Sequence, residues 1–89
     1  MAEGNTPLTV LVMNHKEVLF KGAAENLTSV NDTGEFDVLS QHANFISLIK
    51  DKLIVRKPEG EEWKMSIKGG VLRVHDNKVR VFLDVGTGE

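Results

Sequence analysis

The stretch that decides the fold is Thr33-Gly34-Glu35-Phe36-Asp37-Val38-Leu39-Ser40-Gln41-His42-Ala43-Asn44. It joins a glycine turn, a short run of alternating polar and apolar residues, and a histidine. The alternation from Gly34 to Leu39 reads as a half-buried strand, but strand chemistry alone does not call for the rest. Just upstream, Asn31-Asp32-Thr33-Gly34 gathers residues that hydrogen-bond their own backbone, which marks a turn. A second unusual element follows downstream, Ile67-Lys68-Gly69-Gly70-Val71-Leu72-Arg73-Val74. Its paired glycines predict a bend or bulge, or a place where another backbone comes close.

Around these two elements the chain keeps a period of two. In Lys78 to Val85, Val79, Val81, Leu83 and Val85 face one way and Lys78, Arg80, Phe82 and Asp84 the other. Trp63, Met65 and Ile67 alternate with Lys64, Ser66 and Lys68, and Leu72 and Val74 alternate with Arg73 and His75. Pro58-Glu59-Gly60 separates Leu53–Lys57 from Glu62–Lys68. Asp76-Asn77 predicts a tight hairpin turn, because both residues tolerate positive φ. In the first half, strands are expected over Leu8 to Met13, Glu17 to Lys21 and Glu25 to Val30. Ala43 to Lys50 has Phe45, Ile46 and Ile49 at helical spacing, but it is short and rich in β-branched residues, so it reads as loop plus strand. Short strands with turn signals about every 8 to 12 residues predict an all-β antiparallel sandwich or flattened barrel, one domain over 1–89 with its core at 8–85.

Composition narrows the function classes. Hydrophobic residues at 40% and charged residues at 27% place the chain among globular proteins rather than disordered ones. A net charge of −2 and five aromatics, four Phe and one Trp with no Tyr, exclude a stacking platform for nucleic acid. No cysteine means no disulfide or thiolate metal site. No run is apolar enough to cross a bilayer as a helix, and Met1 to Pro7 reads as neither a signal nor a transit peptide. The charge is unevenly spread: residues 1–45 hold two Lys and six acids, residues 46–89 nine Lys or Arg and seven acids. That leaves a mixed solvated surface or a basic patch for an acidic partner as readings of the second half.

Chemistry has few candidates. Glu35 and Asp37, two apart on a strand, face one side and with His42 would supply oxygen and nitrogen ligands for a divalent metal in a small hydrolase. The plainer reading has the carboxylates solvated or bonded to turn amides and His42 bonded within its loop, and neither a metal nor a cofactor is expected. His15 and His75 read as exposed turn residues. Gly69-Gly70 lacks the Lys and Ser/Thr of a phosphate loop. In the first strand Leu8, Val10 and Val12 share one face while Leu11 and Met13 sit on the other; Phe82 likewise falls on the polar face of the last strand. Side by side, those three would form an apolar patch for a partner protein. A free-standing sandwich that binds a small ligand is the competing reading, with Trp63 as its only Trp.

Taken together and in order, the two elements resemble the N-terminal β-sandwich domain of the epsilon subunit of F-type ATP synthases, called delta in mitochondria. That family typically reads Gly-Glu-Phe-Gly-Val-Leu-Pro-Gly-His-Ala-Pro, then Ser-Gly-Gly-Phe-Leu-Glu-Val, an Asn and a Val-rich last strand. Gly34, Glu35, Phe36, Val38, Leu39, His42, Ala43, Gly69, Gly70, Leu72, Val74, Asn77 and Val79 match it. Asp37 stands for a Gly, Ser40-Gln41 for Pro-Gly and Asn44 for a Pro; Asp51-Lys52 stands where a Pro-Gly or similar turn often occurs. The resemblance implies a non-catalytic central-stalk subunit that couples gamma to the c-ring for proton-driven ATP synthesis. It implies a c-ring-facing end at Glu35, Phe36, Ser40, Gln41 and His42, and a gamma-facing surface that would include Leu11, Met13 and Phe82. By the same resemblance the chain would be monomeric in isolation and would lie peripherally on the cytoplasmic face of the bacterial inner membrane. Family members usually continue into a C-terminal helical hairpin beyond the stretch that ends here at Glu89, so neither inhibition nor ATP binding is assigned from this sequence.

Overall fold

The structure, a computed structural model, describes residues 7–84. Seven strands follow one another: β1 (Leu8–Met13), β2 (Val18–Ala24), β3 (Asn26–Asn31), β4 (Gly34–Leu39), β5 (Phe45–Arg56), β6 (Glu62–His75) and β7 (Lys78–Leu83). They pair in the order β2-β1-β7-β6-β5-β3-β4. Every pairing is antiparallel except β1 with β7, which run parallel. The expected all-antiparallel arrangement therefore has one exception, at the strands that begin and end the described chain. No hairpin joins those two, so no tight turn dictates their relative direction.

The larger departure lies in the middle. Two short strands were expected on each side of Pro58-Glu59-Gly60; instead β5 runs for 12 residues and β6 for 14. Ile49 pairs with Gly70 and Asp51 with Ile67, so Lys68 and Gly69 on β6 oppose Lys50 alone. This is the bulge that the paired glycines predict. On the other side of β5, Ser29 pairs with Leu53 and Val30 with Lys50, which leaves Asp51 and Lys52 out of the ladder. Asp51 takes φ of 72° there. Two irregularities at one level of neighbouring strands bend the sheet over on itself.

The bend makes two layers. One holds β2, β1, β7, residues 70–75 of β6 and residues 45–49 of β5; the other holds residues 62–67 of β6, residues 51–56 of β5, β3 and β4. Between them lie Leu8, Val10, Val12, Leu27, Val38, Leu53, Val55, Leu72 and Val81, all fully buried. Each such side chain stabilises the fold by about 1.5–3 kcal/mol. Phe20 on β2 meets Trp63 on β6 at 5.2 Å between rings, and Phe36 on β4 meets Phe45 on β5 at 6.1 Å, closing the layers at two edges. Ser29 is the one buried polar side chain among the described residues, and its Oγ donates to the Lys52 carbonyl at 2.8 Å. That carbonyl is one the bulge takes off the ladder, so the serine satisfies a group whose burial would otherwise be costly.

Inward and outward residues fall as the alternation predicts. Val79, Val81 and Leu83 are buried, as are Ile67, Leu72 and Val74. Val85, expected to extend the last strand, lies outside the described residues.

Candidate protein-binding face

The outer surfaces of the two layers differ in kind. On the layer built from β3 and β4, the outward residues include Glu35 and Asp37 with Thr28, Lys52, Arg56, Glu62 and Lys64 from neighbouring strands, and Val30, Leu39 and Ile54 lie among them. These charges are largely matched among themselves. Arg56 pairs with Glu62, Lys64 also reaches Glu62 at 3.6 Å, Lys52 reaches Glu35 at 3.1 Å, and Thr28 Oγ1 donates to Asp37 at 2.5 Å. The Arg56 guanidinium holds the Glu62 carboxyl below its ordinary value of 4.5. Exposed pairs of this kind contribute little each, but they leave Asp37, bonded to the Thr28 hydroxyl, as the one carboxylate of this group without a cation among the described residues.

The opposite surface is apolar and cationic. Cross-strand register lines up Val18 (β2), Met13 (β1), Phe82 (β7), Val71 (β6) and Leu48 (β5) in a single row, since residues directly opposite on neighbouring strands share a face. The row crosses five strands, about 19 Å at the usual strand spacing. Six large hydrophobic residues are exposed in all: Val18, Leu39, Ile46, Leu48, Val71 and Phe82. Five of them, all but Leu39, lie on this one surface. Leu48 is 73% and Phe82 48% exposed, well beyond scattered partial exposure. One step along the strands runs a second row, Lys21, Leu11, Arg80, Arg73 and Ile46. Arg73 stands directly opposite Arg80, an unfavourable like-charge pairing, and among the described residues neither forms an ion pair.

Leu11, Met13 and Phe82 thus share a face: Met13 pairs with Phe82, and Leu11 is one step along β1 beside Arg80. Sequence reasoning missed Val18, Ile46, Leu48 and Val71. The signal was present in residues 45–49, where Ile46 and Leu48 alternate against Phe45, Ser47 and Ile49 as the two faces of β1 do. The helical spacing of Phe45, Ile46 and Ile49 obscured it.

The second candidate region is the end formed by residues 40–44 and the Asp76-Asn77 turn. Asp76 and Asn77 take φ of 51° and 66°, the conformation the hairpin reading requires of both central residues. Asn77 Oδ1 accepts from the Gln41 amide at 2.7 Å, and Asn44 Oδ1 accepts from the Asp76 amide at 2.9 Å. The loop is therefore sewn to the hairpin through backbone amides. Gln41 adopts φ of 69°, and Asp51 adopts 72° at the bulge. Both stand where the resemblance places a glycine-containing turn, so the fold keeps the left-handed backbone without the residue that accepts it most readily.

At this end His42 packs on Phe45, 4.9 Å between rings, and Phe36 contacts the same Phe45 from the other layer. Phe36 is half-buried and turned inward. Glu35 is not part of this group. It sits near the start of β4, paired with Val30 and bridged to Lys52, while Ser40, Gln41 and His42 follow the other end of the strand. Glu35, Asp37 and His42 each have separate partners, Lys52, Thr28 and the Ala43 carbonyl. Among the described residues no three His, Cys, Asp or Glu side chains gather to hold a metal ion. Trp63, the candidate ligand platform, is half-buried against Phe20.

The described chain is thus a bent β-sandwich with one outer face of mostly paired charges and one that is apolar and cationic. Residues 7–87 match the family described as the ATP synthase delta/epsilon chain, β-sandwich domain, and the chain belongs to that family. Among curated relatives, it is 35% identical over 74 residues to the ATP synthase epsilon chain of Psychrobacter cryohalolentis, covering 82% of this chain and 54% of the relative. It is 32% identical over 81 residues to that of Leptospira borgpetersenii, covering 89% and 62%. The chain spans little more than half the length of the curated relatives it matches. In fold it is similar to a chain in the cryo-EM structure of the Euglena gracilis mitochondrial ATP synthase (OSCP/F1/c-ring), with TM-score 0.80, 21% identity, and 86% of this chain and 50% of that one covered. It is also similar to a chain in the Tetrahymena thermophila mitochondrial ATP synthase central stalk and c-ring, with TM-score 0.66, 12% identity, and 88% and 63% covered.

Proposed function

We propose that this chain serves in the central stalk of a rotary ATP synthase, joining the gamma subunit to the c-ring for proton-driven ATP synthesis and catalysing no reaction itself. The observation that carries this reading is the unbroken apolar row Val18, Met13, Phe82, Val71 and Leu48 on one outer face. That row, with Leu11 beside it, is the surface for gamma. Its roughly 19 Å breadth suits a packed interface rather than a ligand pocket. Family membership and the origin of the two similar structures in ATP synthase assemblies support the assignment.

The end carrying Ser40, Gln41 and His42 faces the c-ring. Phe36 supports it from within through Phe45, whereas Glu35, near the other end of β4 and bridged to Lys52, lies apart from it. The sewn loop suits the role, since a contact that carries rotation must not yield locally. The protein would then sit peripherally at the cytoplasmic face of the bacterial inner membrane, held there by the complex. The test is reconstitution with gamma and c-ring from the same source. Co-elution with gamma, abolished by Phe82→Ser together with Leu48→Ser, is expected. Failure of the unmutated chain to associate with gamma defeats the proposal.

A further inference from the structure

The gamma-docking reading leaves the second row of the face unexplained. Arg73, His75, Lys78 and Arg80 line a shallow cavity of about 140 Å³ on the same surface. Arg73 is paired in register with Arg80 and His75 with Lys78, so four basic side chains from two neighbouring strands converge there. Among the described residues the one carboxylate in contact with them is Asp76, 3.3 Å from the His75 ring. Arg73, Lys78 and Arg80 have none, whereas the opposite face of the sandwich pairs most of its charges internally. Two arginines facing each other across a hairpin weaken the isolated fold. They become favourable when an anion lies between them, because each guanidinium offers a planar fork to a carboxylate.

Beside this notch, one row along the strands, a groove of about 370 Å³ runs over Leu48, Val71, Phe82, Gly69 and Gly70. The two features are about 7 Å apart, the rise of two strand residues. A segment that fills both must carry an acidic side chain one step from an apolar one.

We infer that the Arg73–Arg80 notch is the charge-recognition part of the docking face and receives a carboxylate of the partner subunit while the partner's apolar residues cover the Leu48–Val71–Phe82 groove. This rests on the central-stalk reading and adds to it the chemistry of the partner's contact segment. Charge complementarity selects that occupant: a neutral or basic segment would leave the arginines buried and unpaired, which is strongly unfavourable.

The test measures the affinity of the 89-residue chain for gamma of the same source as salt is raised. For the unmutated chain, affinity falls with salt. Arg73→Gln/Arg80→Gln weakens binding at low salt by at least about tenfold and flattens the salt dependence. Phe82→Ser weakens binding and leaves the salt dependence intact. Thermal unfolding of the double variant is expected at or above the unmutated midpoint, since it removes the like-charge pair; should it not fold, Arg80→Gln alone is read in the same way. Unaltered affinity and salt dependence in a folded arginine variant overturn the inference while gamma docking stands. No binding of the unmutated chain to gamma overturns both. Capture of the chain by phosphatidylglycerol vesicles through the same two arginines, with gamma binding indifferent to them, assigns the notch to lipid and also overturns the inference.

Discussion

Replacing Gly70 by alanine tests whether the bend between the layers rests on backbone contact. A methyl group there would lie 2.7 Å from the Phe82 carbonyl oxygen, 3.1 Å from Leu83 Cδ2 and 3.2 Å from Leu83 Cα. Two of these neighbours are backbone, in the strand with which Gly70 forms the first rung of the β6–β7 ladder. Neither can swing aside as a side chain does, so β7 must move away and strain that rung. Overpacking of this kind costs about 1–3 kcal/mol. Against it stands about 0.4–1 kcal/mol from the smaller freedom of the unfolded chain. The net loss is about 1–2 kcal/mol, or a fall in midpoint of roughly 5–15 °C for a domain this small. Gly69→Ala is the internal control. Its methyl would meet Asp84 Oδ2 at 3.1 Å, the tip of an exposed side chain that can turn away, and a change within about 0.5 kcal/mol is expected. Thermal and urea unfolding followed by circular dichroism measures both, with an unchanged urea slope showing that only stability has moved. Equal midpoints for Gly70→Ala and the unmutated chain, or an equal loss at both positions, would refute the reasoning.

Ser29→Ala should cost about 1 kcal/mol in urea unfolding, because the part-buried Lys52 carbonyl loses its donor. Asn77→Ala removes both a residue suited to φ of 66° and the acceptor for the Gln41 amide, whereas Asn77→Gly removes only the acceptor. The alanine variant should therefore be the less stable, and hydrogen exchange at Gln41 should quicken in both. Glu62 should titrate below 4.5 by NMR and return toward that value in Arg56→Gln. Because its folded value is depressed, its contribution is present above the unfolded value and lost as pH falls through the folded one, so Glu62→Gln should flatten the acid limb of the stability curve below about 4.5.

Local patterning made most strands legible. Val79, Val81 and Leu83 alternate with charged neighbours, and Asp76-Asn77 carries the chemistry of a tight turn, so β7 and its hairpin needed no tertiary information. The long β5 was not legible, because Asp51-Lys52 looks like the end of a strand in sequence. Only the neighbouring ladders show that the residues bulge and the strand resumes. The parallel pairing of β1 with β7 joins strands far apart in the chain, and no local signal encodes it. For the site, Leu11, Met13 and Phe82 could be singled out because each breaks its strand's inside–outside rule. Their union with Val18, Val71 and Leu48 depends on register across five strands, a property of the assembled sheet. The Arg73–Arg80 opposition is likewise invisible until the hairpin register is known.

The bend has a mechanical consequence. In a sandwich of two separate sheets, the layers meet through side chains alone and can slip past each other by small adjustments of packing. Here β5 and β6 pass from one layer into the other while remaining hydrogen-bonded to each other on both sides of the bulge. Lateral displacement of one layer against the other would have to distort peptide bonding in that shared ribbon as well as disturb the apolar filling. The domain should thus resist shear along its long dimension more stiffly than its 89 residues would lead one to expect.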